Sequence, residues 1–140
     1  MVIFAFKINY IEIMNPKIKK TLTFGTIIII LLLGIFVYFR FYFVFGEGVK
    51  AGELNYFVHK GYLFKTYEGK MIQNGFRSQT TGSIQSYEFS FSVEDEAVAD
   101  SLMHCSGKEV ELHYREYFAT LPWRGVNKFV VDSIVSVKQE

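Results

Sequence analysis

The chain shows two hydrophobic patterns, a long charge-free run near the N-terminus and short alternating segments after it. Residues 22–39 carry no charge, and after Arg40 the apolar run resumes as far as Phe45. A helix of about 20 such residues crosses a bilayer while satisfying its backbone hydrogen bonds internally. The run therefore predicts a transmembrane anchor over residues 22–45, with the lipid bilayer as a partner. A cleaved signal peptide is the alternative, although bulky aromatic residues stand where its small-residue cleavage site would lie.

The alternating segments that follow predict a small domain of strands with one helix. Alternation of apolar and polar residues is typical of half-buried strands. Five segments share this pattern: residues 53–59, 62–71, 85–92, 108–118 and 128–137. We expect Ser92 to cap a helix whose apolar stripe consists of Val98, Leu102 and Cys105. Gly46–Gly48 is predicted as a hinge between the anchor and the domain.

This order of elements predicts a mainly β fold. The N-terminal transmembrane helix precedes a small five-stranded β-barrel that is OB-like (oligonucleotide/oligosaccharide-binding), with one helix between strands 3 and 4. A rolled five-stranded sheet with a different closure has the same order and stays open as an alternative. The chain divides into an N-terminal segment (1–21), the anchor (22–45) and the β domain (46–140). The sequence after Met14 is typical of an anchor N-terminus, so Met14 is a possible natural start; a short interfacial segment over 1–13 is the alternative.

The charge distribution predicts the orientation of the anchor and excludes one class of partner. Lys17, Lys19 and Lys20 precede the charge-free run, whereas the residues after the run are mildly acidic overall. Positive flanks stay in the cytoplasm, so we expect a single-pass protein of the bacterial inner membrane with its C-terminal domain extracytoplasmic. An acidic domain without a basic stripe argues against nucleic acid as a partner.

Several short stretches of the domain carry a resemblance to a known family. They are Glu47–Leu54, His59–Gly61, Phe64–Gly69, Phe91–Asp95 and Leu121–Gly125. Together they resemble a family of small single-span membrane proteins of unknown function from Bacteroidota, over residues 46–137. Some members carry the name 6-phosphogluconate dehydrogenase. The sequence does not support that activity, because it has no Gly-x-Gly-x-x-Gly motif between a strand and a helix. The resemblance implies no catalytic residues.

The segment Leu121–Gly125 holds the best candidate for a contact site. It combines the only tryptophan of the chain, Trp123, with Arg124 in a turn rich in Pro and Gly. Trp and Arg dominate binding hot spots, and the loop between strands 4 and 5 of an OB barrel borders its ligand face. We expect His113 and Arg115, on the polar face of strand 4, to contribute. The alternative is that Trp123 folds back as a lid while Arg124 pairs with a surface acid.

Catalytic and metal chemistry are not expected. His104, Cys105 and His113 lack the paired spacing of a metal site, and the only cysteine lies on the apolar stripe of the predicted helix. No cofactor is predicted either. A set of aromatic residues could form a stacking platform or fill the barrel interior: Tyr56, Tyr62, Phe64, Tyr67 and Phe76.

These observations predict a membrane-anchored, non-enzymatic binding module of the bacterial cell envelope. Its partner would be another envelope protein or a small envelope ligand, contacted through the loop of Trp123 and Arg124. The alternative is a structural accessory subunit held in a larger membrane complex through its span.

Overall fold

The computed structural model describes residues 15–73 and 88–138 of the chain. The chain divides into two compact units, and the boundary falls between Tyr38 and Phe39. The predicted start at Met14, the segment before it and aromatic residue Phe76 lie outside the described residues. The polar stretch at 72–84, which the sequence predicts as a loop or an irregular edge, also lies mostly outside them.

The first unit contains helix α1, Pro16–Val37. Asn15 caps its N-terminus by accepting a hydrogen bond from the backbone N–H of Lys17 at 3.3 Å, and Pro16 occupies the first turn, where its missing N–H costs nothing. A π-helical turn, Tyr38–Tyr42, continues the helix. The stretch Pro16–Tyr42 is long and apolar enough to span a membrane, and an 18-residue part of it has a mean hydropathy of 2.6. It begins and ends earlier than the predicted range of 22–45.

Among the described residues of the second unit, five strands form one sheet. They are β1 (Val44–Lys60), β2 (Thr66–Gln73), β3 (Glu88–Val93), β4 (Glu109–Tyr117) and β5 (Phe129–Val137), with helix α2 (Glu96–Met103) between β3 and β4. Each strand pairs with two others, so the sheet closes on itself in the order β1-β2-β3-β5-β4. All pairs are antiparallel except β3 with β5.

The long strand β1 makes this closure possible. Its first half pairs with β4 from Val44 to Glu53, and its second half pairs with β2 from Gly52 to Lys60. A β-bulge between Leu54 and Tyr56 lies just after the point where the pairing with β4 ends. Such bulges bend a strand and increase its twist. One strand therefore serves two neighbours along successive parts of its length.

The core lies between the sheet and helix α2. Its fully buried side chains are contributed by all five strands and by the helix: Leu54, Met71, Phe91, Val93, Leu102, Val110, Leu112 and Val131. Rings of Phe89, Tyr114 and Phe129 pack against one another with centroids 5.2 to 5.5 Å apart. In the predicted helix stripe, Leu102 is buried and Val98 is partly buried. Cys105 is buried as well, but it lies two residues beyond the end of α2.

Two predictions about local structure are wrong. The expected hinge Gly46–Gly48 belongs to β1 and pairs with β4. A side chain at Gly48 would lie 3.1 Å from the hydroxyl of Tyr114, so the glycine leaves room for that ring. The cap of α2 is Asp95 rather than Ser92: its carboxylate accepts hydrogen bonds from Ala97 N and Val98 N at 2.8 and 3.1 Å.

The alternation predicted for strand 4 is correct except at its end. Val110 and Leu112 are buried as expected, but Phe118 lies beyond the strand and is exposed. Alternation along the strand puts Tyr117 on the same polar face as His113 and Arg115, yet it is 9% exposed. Its ring is covered by the guanidinium of Arg124, whose Cζ lies 4.0 Å from the ring centroid.

Candidate functional site

The segment 118–128, between β4 and β5, is held at both ends of its first half by arginine hydrogen bonds. Arg40 Nη1 donates to the carbonyl oxygen of Phe118 at 2.7 Å, and Arg124 Nη1 donates to the carbonyl oxygen of Phe41 at 2.7 Å. Phe41 lies in the last turn of the helical segment, whose carbonyls lack intrahelical donors. A cation at a helix C-terminus is also favoured by the helix dipole. We call this pair of contacts the arginine clasp.

Arg124 is buried, with 6% of its surface exposed. Its guanidinium stacks on Tyr117 and lies 5.4 Å from the ring centroid of Tyr42. Its Nε lies 3.8 Å from Glu94 Oε2 and makes no hydrogen bond to any of the described residues. Arg124, which we predicted as a contact residue, therefore acts inside the domain and positions the loop that carries Trp123.

Trp123 is exposed over 53% of its surface. Its indole ring meets the ring of Phe64 edge-on, with centroids 6.1 Å apart. Phe64 belongs to the turn between β1 and β2, where Tyr62 and Leu63 are 110% and 86% exposed. The loop between β4 and β5 and the turn between β1 and β2 thus present one continuous group of apolar side chains, which we call the apolar tip: Tyr62, Leu63, Phe64 and Trp123.

A buried carboxylate fixes the other half of the β4–β5 loop. Glu68 is 4% exposed and accepts four hydrogen bonds. Its Oε1 accepts from Thr66 Oγ1 at 2.7 Å and from Val126 N at 3.0 Å. Its Oε2 accepts from Ser92 Oγ at 2.7 Å and from Asn127 Nδ2 at 2.8 Å. Two strands and the loop therefore meet at one side chain.

Gly125 lets the loop approach this carboxylate closely. Its φ is +155°, and a Cβ there would lie 2.1 Å from the Cβ of Ser92. No residue with a Cβ fits so close to the side chain of Ser92 without a shift of one of them. The glycine, the carboxylate and the arginine clasp together hold the loop in one conformation.

His113 and Arg115, the other predicted contact residues, share one partner. His113 Nδ1 lies 2.6 Å from Asp132 Oδ1, and Arg115 Nε lies 3.0 Å from Asp132 Oδ2. Arg115 and Asp132 also line an open groove of about 330 Å³, together with Glu94, Asp95, Tyr117, Val130 and Val131. Arg124 contacts Glu94 and Tyr117, which line this groove, and Trp123 is its neighbour in the chain. The structure thus connects the four predicted residues, but through a buried arginine.

His104 and Cys105, which were considered for metal binding and nucleophilic catalysis, lie at and just after the C-terminal end of α2. Among the described residues, no three His, Cys, Asp or Glu side chains form a cluster able to hold a metal ion. Cys105 is buried, and its thiol donates to the carbonyl oxygen of Ser101 at 3.2 Å. His104 is the C-terminal cap of α2.

Sequence reasoning missed Glu68 and its four donors. A carboxylate inside an aromatic-rich strand is unusual, and this was the available signal, because a buried acid requires several hydrogen-bond donors. Its partners come from distant parts of the chain, so their identity could not be read from the local pattern.

Comparisons with models of known protein families, with curated proteins and with solved structures found no match. The class of this protein therefore rests on its architecture, an apolar helix followed by a mainly β domain, and on the surfaces described above.

Proposed function

We propose that this protein is a membrane-anchored, non-enzymatic binding module of the bacterial cell envelope. The N-terminal helix would be a single-pass anchor in the inner membrane, with its N-terminus in the cytoplasm and its domain outside. Lys17, Lys19 and Lys20 before the charge-free run support this orientation. An OB-like barrel is supported by the chain order of the strands and by the single parallel pair, β3 with β5.

The observation that carries the proposal is a rigidly held loop beside an open polar groove. Loops fixed on a scaffold are the usual carriers of binding function, because little conformational entropy is lost when a partner binds. The groove offers Arg115, Asp132 and Glu94 to the polar groups of an envelope protein or a small envelope ligand. Arg124 contacts Glu94 and Tyr117 of the groove, and it is adjacent in the chain to the exposed Trp123. No step of this function requires a cofactor.

In-cell crosslinking followed by pull-down of the full chain tests the proposal. The groove variant Arg115→Ala/Asp132→Ala removes a charged pair without changing the net charge. A matched control, Lys138→Ala/Glu109→Ala, removes another ion pair, in which Lys138 Nζ lies 3.0 Å from Glu109 Oε2. Glu109 begins β4 and Lys138 follows the last residue of β5. Specific partners that disappear with the groove variant and persist with the control support the proposal. Partners that persist with both variants contradict it.

A second function is favoured by the surface of helix α1. None of its residues is buried, and the positions around Gly25 and Gly34 are open. A helix with a free small-residue surface can pack against other helices in a membrane. The protein would then be an accessory subunit held in a larger complex through its span. A chimera with an unrelated span would lose the partners of such a subunit, whereas the partners of a binding module would remain.

A further inference from the structure

We infer that the apolar tip rests in the interface of the lipid bilayer, in the leaflet where the anchor ends. The inference deepens the proposed function, on which it rests, by naming lipid as the partner of the Trp123 side of the surface. It gives the domain a second membrane contact, separate from the helix.

The exposure of the tip is the first argument. Tyr62 and Leu63 are almost completely exposed, and Phe64 and Trp123 are about half exposed, at 46% and 53%. A contiguous apolar group of this kind on a surface marks an interaction site. Trp and Tyr are also the residues that are most enriched at the membrane–water interface.

The charges beside the tip favour lipid over protein as the occupant. The turn reads Lys60-Gly-Tyr-Leu-Phe-Lys65, so two lysines bracket three apolar residues, and both lysines are exposed. Lysines at this place can extend to lipid phosphates while the apolar residues enter the interface. Protein interfaces, in contrast, are depleted in Lys.

The connection between the tip and the end of the anchor is a third argument, after the exposure of the tip and the lysines beside it. Trp123 is adjacent in the chain to Arg124, which donates to the carbonyl of Phe41 at 2.7 Å and lies over Tyr42. Phe41 and Tyr42 are the last residues of the candidate span. The tip is therefore tied, within the domain, to the point where the chain leaves the bilayer.

Trp123 provides the test, since it is the only tryptophan of the chain. The full chain is reconstituted in vesicles of phosphatidylcholine and phosphatidylglycerol that contain brominated lipids, which quench tryptophan within contact distance. We expect the Trp123 emission to be blue-shifted and quenched, more strongly by lipids brominated near the headgroup than by lipids brominated near the chain end. Substitution of Leu63→Asp should reduce the quenching at least twofold, because it places a charge in the tip.

Two relocated tryptophans separate this inference from the proposed anchor. In Trp123→Phe/Phe24→Trp the reporter lies within α1, and in Trp123→Phe/Val135→Trp it lies on β5, where Val135 is 53% exposed. Quenching at position 24 but not at 123 refutes the inference and leaves the anchor intact. An unquenched position 24 refutes both. Equal quenching at 123 and 135 also refutes the inference, because any exposed site would then behave alike.

A photo-crosslinking amino acid at position 123 distinguishes lipid from protein in cells. Lipid adducts support the inference. Adducts with a protein in place of lipid overturn it and assign the tip to the protein partner.

Discussion

Replacing Glu68 tests whether one buried carboxylate holds the β4–β5 loop. In Glu68→Gln, one oxygen that accepts two hydrogen bonds becomes an NH₂ group that can only donate. If the NH₂ group faces Ser92 and Asn127, both donors on that side lose their acceptor. The Ser92 hydroxyl and a rotated Asn127 amide could each accept from the new NH₂ group, but their own hydrogens would then lack the carboxylate as a partner. A buried donor left without a partner costs about 1–3 kcal/mol, and we expect this loss in the free energy of unfolding.

Glu68→Ala should destabilise the protein more than the glutamine variant. It removes the acceptor of all four hydrogen bonds, whose mean worth is about 1 kcal/mol each, so we expect a loss of about 4 kcal/mol. The side chain also fills space in the interior, since it is 4% exposed. We therefore expect the wild type to be the most stable, Glu68→Gln to be less stable and Glu68→Ala to be the least stable.

Urea unfolding of the full chain in detergent micelles measures these differences. Trp123 fluorescence reports the loop and circular dichroism reports the sheet. Glu47→Gln, at an exposed position of β1, is the matched control and should change stability by less than about 0.5 kcal/mol. The reasoning is refuted if Glu68→Ala unfolds at the same urea concentration as the wild type, or if the two Glu68 variants are equally stable.

Three further predictions concern the loop and one ion pair. Gly125→Ala should cost at least about 2 kcal/mol in urea unfolding, because its Cβ would collide with Ser92. Arg124→Lys should lower stability by about 1–3 kcal/mol and should shift the Trp123 emission, since a lysine cannot stack on a ring and donate at 2.7 Å as the guanidinium does. The hydrogen bond from Lys70 to Glu88 raises the pKa of that lysine above its usual 10.5, so the pair stabilises the protein below this pH and its contribution is lost as the pH rises further. Lys70→Met should therefore flatten the pH dependence of stability only in the alkaline range, which a pH series of unfolding midpoints would measure.

The local hydrophobic pattern was sufficient to predict elements that can be recognised without knowing what they pack against. The charge-free run predicts an apolar helix because a bilayer-spanning segment is defined by composition alone. Alternation predicts β4 and β5 because one face of each strand is buried in the core, as at Val110 and Leu112. The bounds of β5, Phe129–Val137, agree within one residue with the strand predicted at 128–137.

The structure differs from the local predictions where the contacts of a residue are made with residues far away in the chain. Gly46 and Gly48 suggest a hinge when they are considered alone, yet both lie in β1, where they pair with Glu116 and Tyr114 of β4. An arginine beside a tryptophan is typical of a surface contact, but Arg124 is buried and donates to Phe41, 83 residues earlier in the chain. No local pattern contains these distances.

The shared pairing of β1 also determines when the sheet can form as the chain is made. The second half of β1 can form a hairpin with β2 as soon as β2 is complete. Its first half, from Val44 onward, must wait without a partner until β3, α2 and finally β4 have been synthesised. Contacts between distant parts of a chain form slowly, and an unpaired apolar strand is prone to associate with other chains in the meantime. The closed sheet can therefore form only after β4 has been synthesised. Until then the first half of β1, the part of the sheet that is synthesised first, is the segment most exposed to association with other chains.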